Sequence, residues 1–163
     1  MKKQSAGLLV YKREADEALV LLAHPGGPFW AKRDIWSIPK GELDPNEDQL
    51  EAARREFQEE IGEPAPTGQL IDLGTSLQTN KINHIWAVEG EVDFKGFVSN
   101  RCEMEWPPKS GKLQEFPEND KASWFTLTQA KQRLYPAQAI FIDRLAEHLD
   151  MAKVDVPSQQ SLL

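Results

Sequence analysis

Apolar and polar positions alternate in blocks that divide the chain into short elements. Gln4–Arg13, around Gly7-Leu-Leu-Val-Tyr11, and Ala18–His24, around Leu19-Val-Leu-Leu22, predict two strands joined by the acidic turn Glu14–Glu17. Pro25, Gly26, Gly27 and Pro28 make His24–Phe29 a loop, and Trp36-Ser-Ile-Pro39 reads as a short extended segment. Gly68–Gln78 and Ile82–Glu89 are further strands; in the second, Ile82, His84, Trp86 and Val88 alternate with Asn83, Ile85 and Ala87. Phe97–Met104 is a weaker strand, Trp106–Pro117 a loop punctuated by Pro and Gly, and Trp124–Leu127 a last strand. Gln129–Leu134 and Ala137–Met151 carry helical periodicity, with Pro136 as the break between them. There is no internal repeat and no linker. The order predicts an α/β or α+β domain, a mixed sheet covered by helices, over residues 1–153, with a polar tail at 154–163.

The most informative block is Asn46–Gly62, NEDQLEAARREFQEEIG. Asp48 is a good N-cap with Glu51 three residues on, and Gly62 followed by Pro64 supplies the stop. Leu50, Ala53, Phe57 and Ile61 form a narrow apolar stripe for the core. At ~100° per residue, Glu56, Glu59 and Glu60 gather about 110° round from that stripe, with small Ala52 leaving space before them. This is a costly arrangement. Like charges at these spacings repel, and the helix dipole disfavours anions in the last turns. A solvated acidic face is the ordinary reading of such a run. A bound cation is the alternative, and an oxygen-only donor set suits Mg²⁺ or Mn²⁺ rather than zinc.

Charge sharpens this picture. The 163 residues carry a net charge of −7. Nine acids and two bases lie between Glu42 and Glu63, and outside that window seventeen acids meet seventeen bases. With the excess confined to one stretch, general affinity for nucleic acid is not expected. No apolar run approaches the ~20 residues of a membrane helix, and the amino terminus does not read as a signal peptide. The lone Cys102 cannot form an internal disulfide and reads as a spare thiol, so a cytoplasmic setting is expected.

Gly41, five residues, Glu47, seven residues, then Arg55-Glu56-Phe57-Gln58-Glu59-Glu60-Ile61-Gly62 resembles the Nudix box, with seven fixed residues at their spacings. Phe57 and Glu63 depart from it where the pattern has bulky aliphatic residues. The resemblance to this MutT-like family, and to its branch of diadenosine tetraphosphate hydrolases and NTP pyrophosphohydrolases, implies an α/β/α sandwich around a mixed, curved sheet. It also implies Mg²⁺- or Mn²⁺-dependent hydrolysis of a diphosphate linkage in a nucleoside polyphosphate. Glu56 and Glu60 would be metal ligands, Glu59 a ligand or base, and Arg55, with Glu47, would orient the carboxylates. Gly41 would let the backbone approach the metal, with the Lys40 carbonyl as a further ligand and Gly62 closing the helix. Glu118, six residues ahead of Trp124, matches a further acid of the family, and Glu115 is a second candidate.

The lead-in Trp36-Ser-Ile-Pro-Lys40-Gly resembles the W-x-x-P-K-G of the dinucleoside polyphosphate and diphosphoinositol branches, which would put Trp36 and Lys40 on substrate. Trp106-Pro-Pro-Lys109-Ser-Gly-Lys112 sets an aromatic ring beside two cations and suits a base with its phosphates. The expected partner is a small nucleoside polyphosphate, with neither nucleic acid nor membrane; a homodimer is left open. A catalytically silent nucleotide-binding or partner-binding module is the competing reading, and the full set of box carboxylates argues against it.

Overall fold

The computed structural model describes residues 2–93, 101–117 and 119–151. Strands β1 (Lys3–Glu14) and β2 (Glu17–Pro25) form the expected hairpin, with Tyr11 opposite Val20 and Glu14 opposite Glu17. β1 is the hub of the sheet. Its carboxyl-terminal half pairs with β2 and its amino-terminal half with the short β3 (Lys40–Glu42), while β5 (Lys81–Glu89) runs parallel along the other edge. β4 (Leu70–Gln78) flanks β5 and β8 (Asn119–Thr126) flanks β2, which gives the order β4-β5-β1-β2-β8 with β3 beside β1.

Helix α1 (Gln49–Ile61) covers one face of this mixed sheet, packing Ala53, Phe57 and Ile61 against Ala6, Leu8, Val10 and Leu21. Helices α2 (Leu127–Arg133) and α3 (Ile140–His148) cover the other, where Leu134, Phe141, Ile142 and Leu145 meet Leu9, Leu22, Ile38 and Ile85. The layers are the α/β/α sandwich expected. Cover on both faces is why β1 reads as a continuous apolar run instead of an alternation. Among the described residues no helix is long and apolar enough to cross a membrane.

Several boundaries differ from the sequence reading. Leu113–Pro117, expected within a loop, is strand β7, paired with β6 (Arg101–Glu105) in a separate two-stranded sheet. Residues 97–100 of the strand expected at Phe97–Met104, and the tail at 154–163, lie outside the described residues. β8 starts at Asn119, five residues before the expected Trp124, because polar residues pair with the end of β2. α2 begins at Leu127 because Thr126 and Gln129 close a capping box. The expected helix Ala137–Met151 resolves into a 3₁₀ turn at Pro136–Gln138 and the shorter α3.

Candidate active site

The acidic helix starts and stops where its caps dictate. The Asp48 carboxylate accepts from the Leu50 and Glu51 N–H groups, and Gly62 takes the left-handed conformation (φ 85°). Ala52, expected to leave room before the glutamates, is fully buried and belongs to the core. The apolar stripe is therefore one residue wider than predicted, and it rolls Glu60 toward the sheet.

Arg55 organises the exposed side. Its Nε donates to Glu47 Oε2 at 2.8 Å and its Nη2 to Glu47 Oε1 at 2.9 Å, a bidentate pair. Its Nη1 reaches Glu56 Oε1 at 2.8 Å and Glu59 Oε2 at 3.1 Å, and Nη2 also reaches the Glu42 carbonyl at 3.2 Å. The pair holds the Glu47 carboxyl at about 2, and its partners keep Arg55 charged. Glu47 also accepts from the Asp44 N–H, so one side chain joins the loop after β3 to the middle of α1.

Glu56 lies against Gly41. A Cβ built on Gly41 would sit 2.1 Å from the Glu56 carboxyl carbon, so only glycine lets the β3 backbone approach this carboxylate. Glu60 is buried deeper. Its Oε2 is shut off from solvent and has no hydrogen-bond partner. Desolvation, then the neighbouring Glu56, push its carboxyl up to about 8, opposed by the Lys40 N–H and by the Lys40 and Asn119 side chains. The three helix glutamates thus divide: Glu59 turns to Arg55, Glu56 bridges Arg55 and Gly41, and Glu60 faces Lys40 and β8. Among the described residues no three acidic, histidine or cysteine side chains converge as a ready metal site. Glu118 lies outside the described residues, and Glu115 is exposed on β7.

On the other side of β3, the Lys40 side chain lines a cleft of about 200 Å³ with Pro25, Trp30, Ile35, Trp36, Tyr135 and Gln138. Burial and the neighbouring Lys81 lower the Lys40 pKa, against Glu60, Glu56 and Glu42. Trp36 is only 6% exposed; its ring lies edge-on to His24 and Phe125, and its Nε1 donates to Asp34. It is first a core residue and offers the cleft only part of its surface. Trp106 lies edge-on to Phe29, and Lys109 and Lys112 are exposed in the β6–β7 loop.

Two residues given no part in the site at the sequence level shape its surroundings. Gln138, buried after Pro136, accepts from the Ile38 N–H at 2.7 Å and donates to Ser37 Oγ at 3.0 Å, which fixes the lead-in to β3. His24 is buried between Asp120, at 2.7 Å, and the Arg33 carbonyl, and so holds the 26–35 loop to β8. No local spacing announces either contact.

A sandwich in which the helix covering one face presents an Arg-clamped glutamate series to a glycine-bearing strand defines a class of protein, and comparison with known proteins agrees. Residues 1–145 match the NUDIX domain family, so the chain belongs to that family. It is accordingly a hydrolase acting on phosphorus-containing anhydrides. Similar solved structures share the fold at low identity. A Caenorhabditis elegans Ap4A hydrolase binary complex aligns at TM-score 0.60 and 20% identity, over 91% of this chain and 98% of that one. The NUDIX domain of Shewanella oneidensis NrtR complexed with ADP ribose aligns at TM-score 0.62 and 14% identity, over 91% and 89%. A Mycobacterium smegmatis Nudix hydrolase, RenU, aligns at TM-score 0.57 and 22% identity, over 91% and 86%.

Proposed function

We propose that the protein hydrolyses a diphosphate linkage in a nucleoside polyphosphate, either a dinucleoside polyphosphate or a nucleoside triphosphate, with Mg²⁺ or Mn²⁺. The observation that carries this reading is the Glu60 carboxylate, buried beside Glu56 with one oxygen unpartnered. Burying two neighbouring carboxylates is unfavourable without a compensating charge, and hard, oxygen-only donors fit a magnesium ion. Glu56 and Glu60 would hold it, joined by the Lys40 carbonyl, by Glu59 once released from Arg55, and by Glu118. The cation supplies charge neutralisation at the phosphates and an acidified water.

The remaining work falls to the chain itself. Arg55 restrains Glu56 and Glu59 from above, and Glu47 fixes Arg55. Gly41 keeps the space against Glu56 clear. The Lys40 ammonium would meet a substrate phosphate, with Trp36 beside it in the cleft lining and Trp106, Lys109 and Lys112 as outer contacts. Phosphoryl chemistry rests on such positioning and electrostatics more than on a protein nucleophile. The similarity to an Ap4A hydrolase and to an ADP-ribose-binding domain supports a nucleotide substrate.

The test is a product assay with Mg²⁺ over diadenosine polyphosphates, nucleoside triphosphates, nucleotide sugars and a diphosphoinositol, with Glu60→Gln as control. Turnover of one class, reduced about a hundredfold or more in the variant, is the expected result. Equal turnover in Glu60→Gln would overturn the assignment. Tight nucleotide binding without turnover would favour the silent module.

A further inference from the structure

The amino-terminal end of β8 carries an irregularity beside the acidic helix. Ala122 pairs with Ala23 and Lys121 with His24, but Pro25 pairs with Asn119, so Asp120 is an extra residue in the ladder. Beyond it the strand alternates regularly, with Ala122 and Trp124 in the cluster under α1 and Phe125 in the cluster under α2 and α3. In an unbroken strand Asn119 would share the face of Phe125. The extra residue reverses that parity and turns Asn119 to the α1 side, as bulges re-aim side chains elsewhere.

His24 fastens the bulge on the opposite face. It is 1% exposed, its Nδ1 lies 2.7 Å from the Asp120 carboxylate, and its Nε2 meets the Arg33 carbonyl. Lys121 stands over the Trp36 ring on that same face. Asn119 itself is 5% exposed, and its side chain meets Glu60. Glu60 is the buried carboxylate whose Oε2 has no hydrogen-bond partner. Burying an amide is costly where an apolar side chain of the same size would pack freely, so an asparagine turned onto this carboxylate serves the carboxylate rather than the core.

We infer that Asn119 is a positioning residue of the acidic site: aimed by the bulge at Asp120, its amide holds the buried Glu60 carboxylate in the orientation that receives the cation. Resting on the proposed metal-dependent hydrolysis, this gives the buried end of the site a neutral support, where Arg55 supplies a charged one to Glu56 and Glu59. The contrast has a physical reason. A further cation bonded to Glu60 would neutralise it and compete with the metal, and an aspartate would add repulsion. An amide can donate a hydrogen bond and leave the negative charge in place.

The experiment measures Mn²⁺ affinity of the substrate-free protein by electron paramagnetic resonance of the free ion. It compares wild type, Asn119→Leu, Glu60→Gln and the double variant, with melting temperatures alongside. Asn119→Leu keeps the volume and removes the amide, and is expected to raise the Mn²⁺ Kd about tenfold or more. Its effect should vanish in the Glu60→Gln background, because the amide acts through that carboxylate. A merely structural Asn119 would lower the melting temperature and leave the Kd of the folded protein unmoved. A wild-type Kd in folded Asn119→Leu, or losses that add in the double variant, overturns the inference and leaves the hydrolase reading standing. A wild type that binds no Mn²⁺ overturns the metal reading and this inference with it. If Asn119→Leu does not fold, the side-chain amide resonances of Asn119 in the wild type decide. They should move on addition of Mg²⁺, and resonances that stay in place overturn the inference.

Discussion

Gly41 faces the Glu56 carboxylate with no room for a Cβ between them, so a single added atom decides the contact. The Cβ of Gly41→Ala would overlap all three atoms of the Glu56 carboxylate at 2.1–2.4 Å, so that group must swing away. Displacing a positioned group by about 1 Å costs on the order of a hundredfold in rate. Gly41→Ala should therefore lose about that much kcat/KM with its far-UV spectrum unchanged, which steady-state kinetics and circular dichroism check together. Glu60 makes a prediction about pH. Its pKa is raised in the folded state from 4.5 to about 8, so the folded protein holds a proton that the unfolded chain has released. Its contribution is intact below about pH 4.5 and declines as pH rises to about 8. Urea titrations without divalent metal should show wild type losing stability relative to Glu60→Gln across that window. Parallel curves would remove the burial argument for this residue.

At the scale of elements, caps set where the functional helix begins and Arg55 sets what it presents. Asp48→Ala removes the acceptor for two N–H groups of the first turn and should cost about 1 kcal/mol, read as a shifted urea midpoint with unchanged slope. Thr126→Ala should do the same to α2, whose capping box is complete. Arg55→Lys keeps the charge but cannot make the fork to Glu47 while reaching Glu56 and Glu59. The expected outcome is a loss of turnover of about tenfold or more with little change in melting temperature, because outer-shell partners act on ligand geometry. The spacing from Gly41 to Gly62 was legible at this scale since a helix converts sequence separation into direction by local geometry alone. Ala52 shows the limit: the spacing gives its direction, but what lies in that direction is the sheet, which local geometry does not describe.

At the scale of the molecule, the sandwich brings a helix on one face and a cleft on the other to the same strand, β3, so adjacent residues Lys40 and Gly41 serve opposite faces. A cation held, as proposed, by Glu56 and Glu60 would stabilise the folded state alone. Mg²⁺ at a hundredfold over its Kd should add about 2.7 kcal/mol, seen as a raised melting temperature at pH 8 and reduced in Glu60→Gln. No thermal shift in wild type would leave the buried carboxylates without the proposed partner.

The hairpin, the capped acidic helix, the box spacing and the class of chemistry are legible along the chain, because each depends on residues close together in it. The remaining features arise from packing between distant segments. Gln138 reaches Ile38 across 100 positions, and His24 reaches Asp120 across 96. Ser76, Asn83 and Ser5 come to lie side by side only through the pairing of three strands. Such contacts follow from strand register and layer packing, which no local period encodes.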